Sequence, residues 1–372
     1  MRRILELDAA LSALPCGLAG QANDQLRARA YLDGRAESAG YPQVLQVETT
    51  SRCAMRCSHC PRTWLMTRPA ADMDFGLFQR VVAQLRPYAN HEALALMHFG
   101  EPSLYPHLGE AIRLAQARGL RVTVSATAAA FDDRAVREAV DSGLSRLRLM
   151  FDGMDDETSR RIRGPGAGFA RSLRQLRQLL DYRSRQGVRL PEVTAAMVKH
   201  PHNRHQWELF REQFSRIPGI KCQLVPFSGF AGNAPQLERL QRLLRDDAAE
   251  AREARRVARL DRRACFYPWQ GVTVLCDGRV VPCCRDVDGA CVLGDLRRQS
   301  LLEVWNGEPL RRLRRAFLAG DRGNPLCRRC REGSLGIGAP DPRRLRAAAA
   351  LVRPALPRPV RALLRRRAHE AR

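Results

Sequence analysis

The sequence predicts an α/β chain: a parallel sheet of six strands with crossover helices, closed or partly closed, followed by a small cysteine-rich unit. Three observations carry this. Between Val44 and Phe227, short apolar runs alternate six times with stretches whose apolar residues recur at helical spacing, the pattern of βα units. The cysteines gather in two blocks, one at 53–60 and one at 265–330. Between the blocks, residues 236–263 are dense in alternating charge, which reads as a helical linker with a solvated face. Six repeats fit a partial (β/α)6 barrel.

Taken in order, residues 1–40 read as a helical extension, with Cys16 isolated in it as a small packing residue. VLQVE, ending at Glu48, is the first strand, and Phe75–Leu85 is a helix with one apolar face. ALALMHF is the second strand, followed by the helix HLGEAIRLAQARG, which stops at Gly119. LRVTVSA is the third, and its helix DDRAVREAVDSG has Asp132 or Asp133 as cap. LRLMF is the fourth, with helices around Glu157–Ile162 and Phe169–Arg185. VTAAMV, the helix WELFREQFSRI and IKCQLVPF complete the series. The expected divisions are an extension (1–40), a core (41–232), a helical linker (233–262), a cysteine-rich domain (263–334) and a basic tail (335–372). The tail, rich in Pro, Ala and Arg, reads as mobile or as a loosely docked amphipathic helix.

Composition bounds the function. A chain of 372 residues with 45% hydrophobic content suits one large domain and a smaller one, or two to three domains. No run of 18 apolar residues occurs, so no membrane span is expected. Glu6 and Asp8 interrupt the apolar part of the N-terminus, which argues against a signal peptide and for a cytoplasmic protein. Twelve cysteines in such a chain point to metal rather than disulfides. The net charge is +24, and apart from Lys199 and Lys221 the positive charge is arginine spread over the whole chain. It would favour anionic partners. A nucleic-acid-associated zinc or iron–sulfur protein is the rival from another class, but aromatic content of 6% gives few platforms for base stacking, and nucleic acid is not the expected partner.

The chemistry is concentrated in ETTSRCAMRCSHCPRTWLM, where Cys53, Cys57 and Cys60 are spaced Cys-x3-Cys-x2-Cys. Thiolates hold zinc and iron–sulfur clusters. A structural zinc site takes four ligands. His59 as the fourth would sit too tightly between Cys57 and Cys60. Three thiolates on a four-iron cluster leave one iron open to a substrate or cofactor. The motif, placed directly after a strand, resembles that of the radical S-adenosylmethionine (radical SAM) superfamily. The resemblance implies a 4Fe–4S cluster on these three cysteines and SAM on the open iron. SAM would then be cleaved reductively to a 5′-deoxyadenosyl radical that takes hydrogen from a substrate, with flavodoxin or ferredoxin as electron donor. His59 takes the place of the family's aromatic residue beside the adenine. HFGEP (98–102) is similar to the family's Gly-Gly-Glu-Pro motif with Phe99 for the first Gly, and implies contacts from Gly100 and Glu101 to the SAM amino group. The third strand lacks the family's Asn-Gly, which leaves a ribose contact to the hydroxyls of Ser125 or Thr127. Asp152, in LMFDG, would face the site, and Arg163 is either a partner for the SAM carboxylate or one more surface arginine. HPHNRH (200–205) reads as a polar loop rather than a metal site.

In the second block, Cys265-x12-Gly278-x4-Cys283 followed by Cys327-x2-Cys330 resembles a shortened SPASM/twitch domain. That implies a second, auxiliary 4Fe–4S cluster on Cys265, Cys283, Cys327 and Cys330; a four-thiolate zinc site is the alternative. Cys283 is preferred over the adjacent Cys284, which leaves Cys276, Cys284 and Cys291 spare, and Cys222 belongs to the core of the sixth strand. The expected activity is radical SAM chemistry, of oxidoreductase type, on a small natural-product intermediate or a peptide. The alternatives are epimerisation, with Cys284 or Cys291 returning hydrogen, and peptide maturation by bond formation.

Overall fold

The computed structural model describes residues 2–91, 93–228, 234–245, 265–328 and 330, with positions 356, 358 and 360. Helices α1 (Arg2–Ser12) and α2 (Cys16–Leu32) precede β1 (Gln43–Val47). After α3 (Pro61–Leu65) and α4 (Phe75–Ala83), the chain alternates β2 (Leu94–Leu96), α5 (Leu108–Ala117), β3 (Val122–Thr127), α6 (Asp133–Asp141) and β4 (Arg146–Met150). It continues through α7 (Asp156–Arg163), α8 (Phe169–Arg185), β5 (Glu192–Val198), α9 (Trp207–Ser215) and β6 (Ile220–Val225). These are the six strands expected from the pattern. Asp132 caps α6 by accepting from the Ala135 amide at 3.0 Å, and Gly119, at φ 75°, ends the turn after α5.

The sheet runs β6-β5-β4-β3-β2-β1 in sequence order, all parallel, and then continues into β7 (Gly271–Val274), β8 (Arg279–Val281) and β9 (Gly294–Asp295). The cysteine-rich block therefore extends the same sheet, with β7 parallel to β1 from Gln43↔Gly271 to Val47↔Val274. Gly271 is required there, since a Cβ would stand 2.1 Å from the Gln43 carbonyl oxygen. After these strands the block continues into two helices, Leu301–Trp305 and Glu308–Leu318, which the sequence reading did not assign. The first opens with Ser300 and Glu303 in a reciprocal capping box.

Each strand of the central sheet divides its faces. Val122, Val124 and Ala126 of β3, Leu147 and Leu149 of β4, and Val193, Ala195 and Met197 of β5 are buried in the main core. The alternate residues form a second, more polar face. The two ends of the chain lock together beside β1. Trp269 Nε1 donates to the Arg35 carbonyl at 2.7 Å, Trp305 Nε1 to that of Gly40 at 2.9 Å, and Arg27 Nη1 to that of Gln270 at 2.9 Å. Arg314, wholly buried and stacked over Trp305 at 4.3 Å, donates to the carbonyls of Pro268 and Ala36. Helix α10 (Pro235–Arg245) falls within the stretch expected to be a helical linker; residues 246–264 and most of the basic tail lie outside the described residues. Within the tail, Leu356 and Val360 are buried in the main core, so those positions are docked rather than mobile. No helix among the described residues is long and apolar enough to cross a membrane.

Candidate active site

The loop after β1 crosses the C-terminal end of the sheet and is held by its neighbours' backbones. Ser51 N–H donates to Ala71 O, Arg56 N–H to Arg163 O and Ser58 N–H to Ile162 O, at 2.9, 3.0 and 2.7 Å. Cys53, Cys57 and Cys60 come together there against Met55, Ala130 and Ala167. Burial pushes the Cys57 thiol up to about 12, that of Cys60 up to about 11, and that of Cys53 upward. A coordinated thiol is deprotonated by its cation, so iron uptake here would release protons.

Glu101 N–H donates to the Arg52 carbonyl at 2.7 Å, which ties the end of β2 to the cysteine loop. Gly100 permits this approach: a Cβ on it would lie 1.9 Å from the Thr50 carbonyl oxygen. The Glu101 side chain turns inward. Oε2 accepts from the Thr127 amide at 2.8 Å and Oε1 from the Ser103 hydroxyl at 2.9 Å. Gly100 and Glu101 thus brace the strand ends. Ser125 lies half-buried on the polar face of β3, and the Thr127 hydroxyl accepts from Arg163 Nη1 at 2.9 Å.

Asp152 and Arg163 form a buried pair. Asp152 adopts φ 56°, an unusual conformation for a residue with a side chain, which suits the sharp exit from β4. Its Oδ1 accepts from the Val198 amide at 2.6 Å, and its Oδ2 lies 2.6 Å from Arg163 Nη2 and 3.6 Å from His59 Nε2. Arg163 is not a surface residue: it is 6% exposed and its Nη1 reaches Cys57 Sγ at 3.8 Å. Burial alone would lower its pKa, but Asp152 and then Cys57 more than offset this and keep it charged. His59 is half-buried and pushed down to about 4 by desolvation, so it is neutral.

The sequence did not point to His200 as part of this region. It is wholly buried, its ring 5.9 Å from that of His59, and it begins a tight helical turn at Pro201–Gln206 where only a polar loop was expected. Its Nδ1 accepts from the His202 amide at 3.1 Å, which assigns the proton to Nε2, 3.1 Å from Ser58 Oγ. The Ser58 hydroxyl donates in turn to the Ile162 carbonyl.

The residues fit a SAM-bound cluster in donor chemistry and surroundings. Three thiols converge, and beside them the buried atoms His59 Nδ1 and Arg163 Nε have no hydrogen-bond partner among the described residues. Among the described residues no three His, Cys, Asp or Glu side chains draw together tightly enough for a single ion. A four-iron cluster carries each thiolate on a different iron and spaces them more widely.

The second cysteine set meets in one pocket, lined by Cys265, Cys283, Cys327 and Cys330, with Tyr267 and Phe317 beside them. Burial pushes Cys327 up to about 12 and Cys283 well above the ordinary thiol value. Cys291 does not line that pocket and accepts from Asn324 Nδ2 at 3.0 Å. Cys222 lies on β6 against Phe210. Cys276 is buried behind the first loop, 3.5 Å from Arg68 Nη1. Arg68 also pairs with the buried Glu48 at 2.5 Å and donates to the Val287 carbonyl, while the backbone and hydroxyl of Thr67 donate to Asp288. These contacts bind the two cysteine-bearing regions to each other.

Family models match two stretches: the radical SAM superfamily over residues 47–213, and SPASM, an iron–sulfur cluster-binding domain, over residues 265–331. Among curated proteins, the chain is 26% identical over 172 residues to PqqA peptide cyclase of Rhodopseudomonas palustris, covering 46% of this chain and 43% of the relative. It is 24% identical over 132 residues to AdoMet-dependent heme synthase of Methanosarcina barkeri, covering 36% of this chain and 37% of the relative. The matches thus span less than half the length of these relatives. Among solved structures, SuiB of Streptococcus suis bound to its precursor peptide SuiA superposes with a TM-score of 0.55 at 15% identity, covering 79% of this chain and 70% of that one. BtrN in complex with AdoMet and 2-DOIA superposes with a TM-score of 0.50 at 15% identity, covering 78% and 93%. Both share the fold.

Proposed function

The chain belongs to the radical SAM superfamily and carries a C-terminal SPASM domain, and from this we propose that it oxidatively modifies a peptide side chain. The observation that carries the proposal is the pairing of a three-thiol loop with a four-thiol pocket on one continuous sheet. When bound, a SAM-ligated four-iron cluster supplies the electron that cleaves SAM to methionine and a 5′-deoxyadenosyl radical, which takes a hydrogen atom from the substrate.

Cys53, Cys57 and Cys60 would hold that cluster. Arg163, oriented by Asp152 and Thr127, sets a positive charge beside Cys57 and offers its Nε to the SAM carboxylate. His59 and His200 close the side of the loop with neutral rings. Cys265, Cys283, Cys327 and Cys330 would fully ligate a second cluster, which leaves no open iron. That site suits an electron acceptor rather than SAM. An oxidised product requires that one electron and one proton leave the substrate after hydrogen abstraction, and a fixed acceptor meets the first need. The peptide is supported by relatives whose names specify peptide cyclisation or whose structure holds a precursor peptide. Epimerisation would need Cys284 or Cys291 to return hydrogen, and of these the Cys291 thiol is engaged by Asn324.

Deuterated peptides incubated with reduced, reconstituted enzyme and SAM test this. Deuterium passing into 5′-deoxyadenosine with loss of two hydrogens from the peptide supports the proposal. Deuterium transfer with peptide mass otherwise unchanged and one stereocentre inverted would replace oxidation by epimerisation.

A further inference from the structure

The polar face of the sheet carries a cation that no group among the described residues neutralises. On β4, Leu147 and Leu149 enter the core against the helices, so Arg148 points to the opposite face, which Thr127 shares with Arg163. Register fixes its neighbours: Arg148 lies across from Ser125 on β3 and Thr194 on β5. Met150, two residues on, lies across from Thr127. Arg148 is therefore about 7 Å below the layer in which Thr127 meets Arg163, at two strand residues of about 3.3 Å each.

It is half-buried, and no hydrogen bond or ion pair to it exists among the described residues. The carboxylates on this side are engaged elsewhere: Glu48 by Arg68, Glu101 by Thr127 and Ser103, Asp152 by Arg163, and Glu192 by Lys221 at 2.7 Å. Burial lowers the Arg148 pKa with no anionic neighbour to offset it. A half-desolvated guanidinium without a partner is costly to the fold and suited to a bidentate oxyanion.

We propose that Arg148, flanked by the hydroxyls of Ser125 and Thr194, anchors a carboxylate or phosphate group of the substrate beneath the SAM site. This rests on the radical SAM reading above and narrows it to an anionic substrate, such as a peptide presenting an acidic side chain or C-terminus.

The test uses the full-length, reconstituted protein reduced with dithionite, whose paramagnetic clusters speed relaxation of nearby nuclei and leave ions on the distant surface unaffected. The probes are inorganic phosphate (31P) and 13C-carboxyl succinate, with succinamide as the neutral control. Enhanced relaxation of either anion but not of succinamide is expected, falling at least fivefold in Arg148→Gln and partly restored in Arg148→Lys. Enhancement of succinate alone assigns a carboxylate, and of phosphate alone a phosphoryl group. Equal enhancement in Arg148→Gln overturns the proposal. So does loss of enhancement when SAM is added, since Arg148 would then serve the SAM carboxylate. The radical SAM reading is judged separately, by whether the wild-type sample forms 5′-deoxyadenosine.

Discussion

Asp152 has the most consequences of any single residue here. Its carboxylate is completely buried and carries both the Val198 amide and the Arg163 guanidinium. Removing one member of a buried pair leaves the other charge uncompensated, at about 3–5 kcal/mol. Asp152→Ala is therefore expected to lower the unfolding midpoint in denaturant and to abolish SAM binding, measured by equilibrium unfolding and by calorimetric titration with SAM. Unchanged stability and affinity would show that the pair is dispensable. The sequence pointed to Asp152 and Arg163 together, but not to Arg163 being buried; an arginine in a chain so rich in them carries no positional signal. His200 was harder still. Its approach to His59 depends on the helical turn at Pro201–Gln206 folding it back under the cysteine loop, and that packing has no periodicity to read.

At the scale of elements, α7 matters because its last residue is Arg163. Asp155 caps it, accepting from the Thr158 amide at 2.6 Å and the Thr158 hydroxyl at 2.9 Å, and from Gln206. Burial alone would raise the Asp155 pKa, but these bonds hold it below the ordinary carboxylate value. A depressed folded pKa gives stability that is present above the unfolded value, near 3.9, and is lost as pH falls through the folded one. Asp155→Ala is expected to cost about 1 kcal/mol at neutral pH. The difference from wild type should shrink as pH drops below about 4, measured by urea unfolding across pH. A difference that grows on acidification would refute the capping account. The six strands and their helices were legible because alternating and helical periodicities are strong over that stretch. In the second cysteine block the ligand spacing drew attention from local signals. Ser300-x-x-Glu303 is itself a helix-start signature, and it lies at the head of a helix we did not expect.

The whole molecule is organised by the sheet's continuation from β1 into β7, which no local signal in either segment announces. It brings the extension before β1 against the block after Cys265 and fixes the two cysteine sets relative to one another. The tail takes part, since Leu356 and Val360 are buried in the main core. Burial of such side chains is worth about 1.5–3 kcal/mol each. Deleting residues 338–372 is expected to lower the thermal midpoint of the reconstituted protein by several degrees, measured by calorimetry. An unchanged midpoint would mean that these contacts contribute nothing. The central claim, radical SAM chemistry initiated at the β1 loop, is tested most directly by quantifying 5′-deoxyadenosine and methionine from anaerobically reconstituted, reduced protein beside Cys57→Ala. Equal amounts of both products are expected from the wild type, at about eight irons per chain for two 4Fe–4S clusters, and none from the variant. Formation of both at the wild-type rate by Cys57→Ala would contradict it.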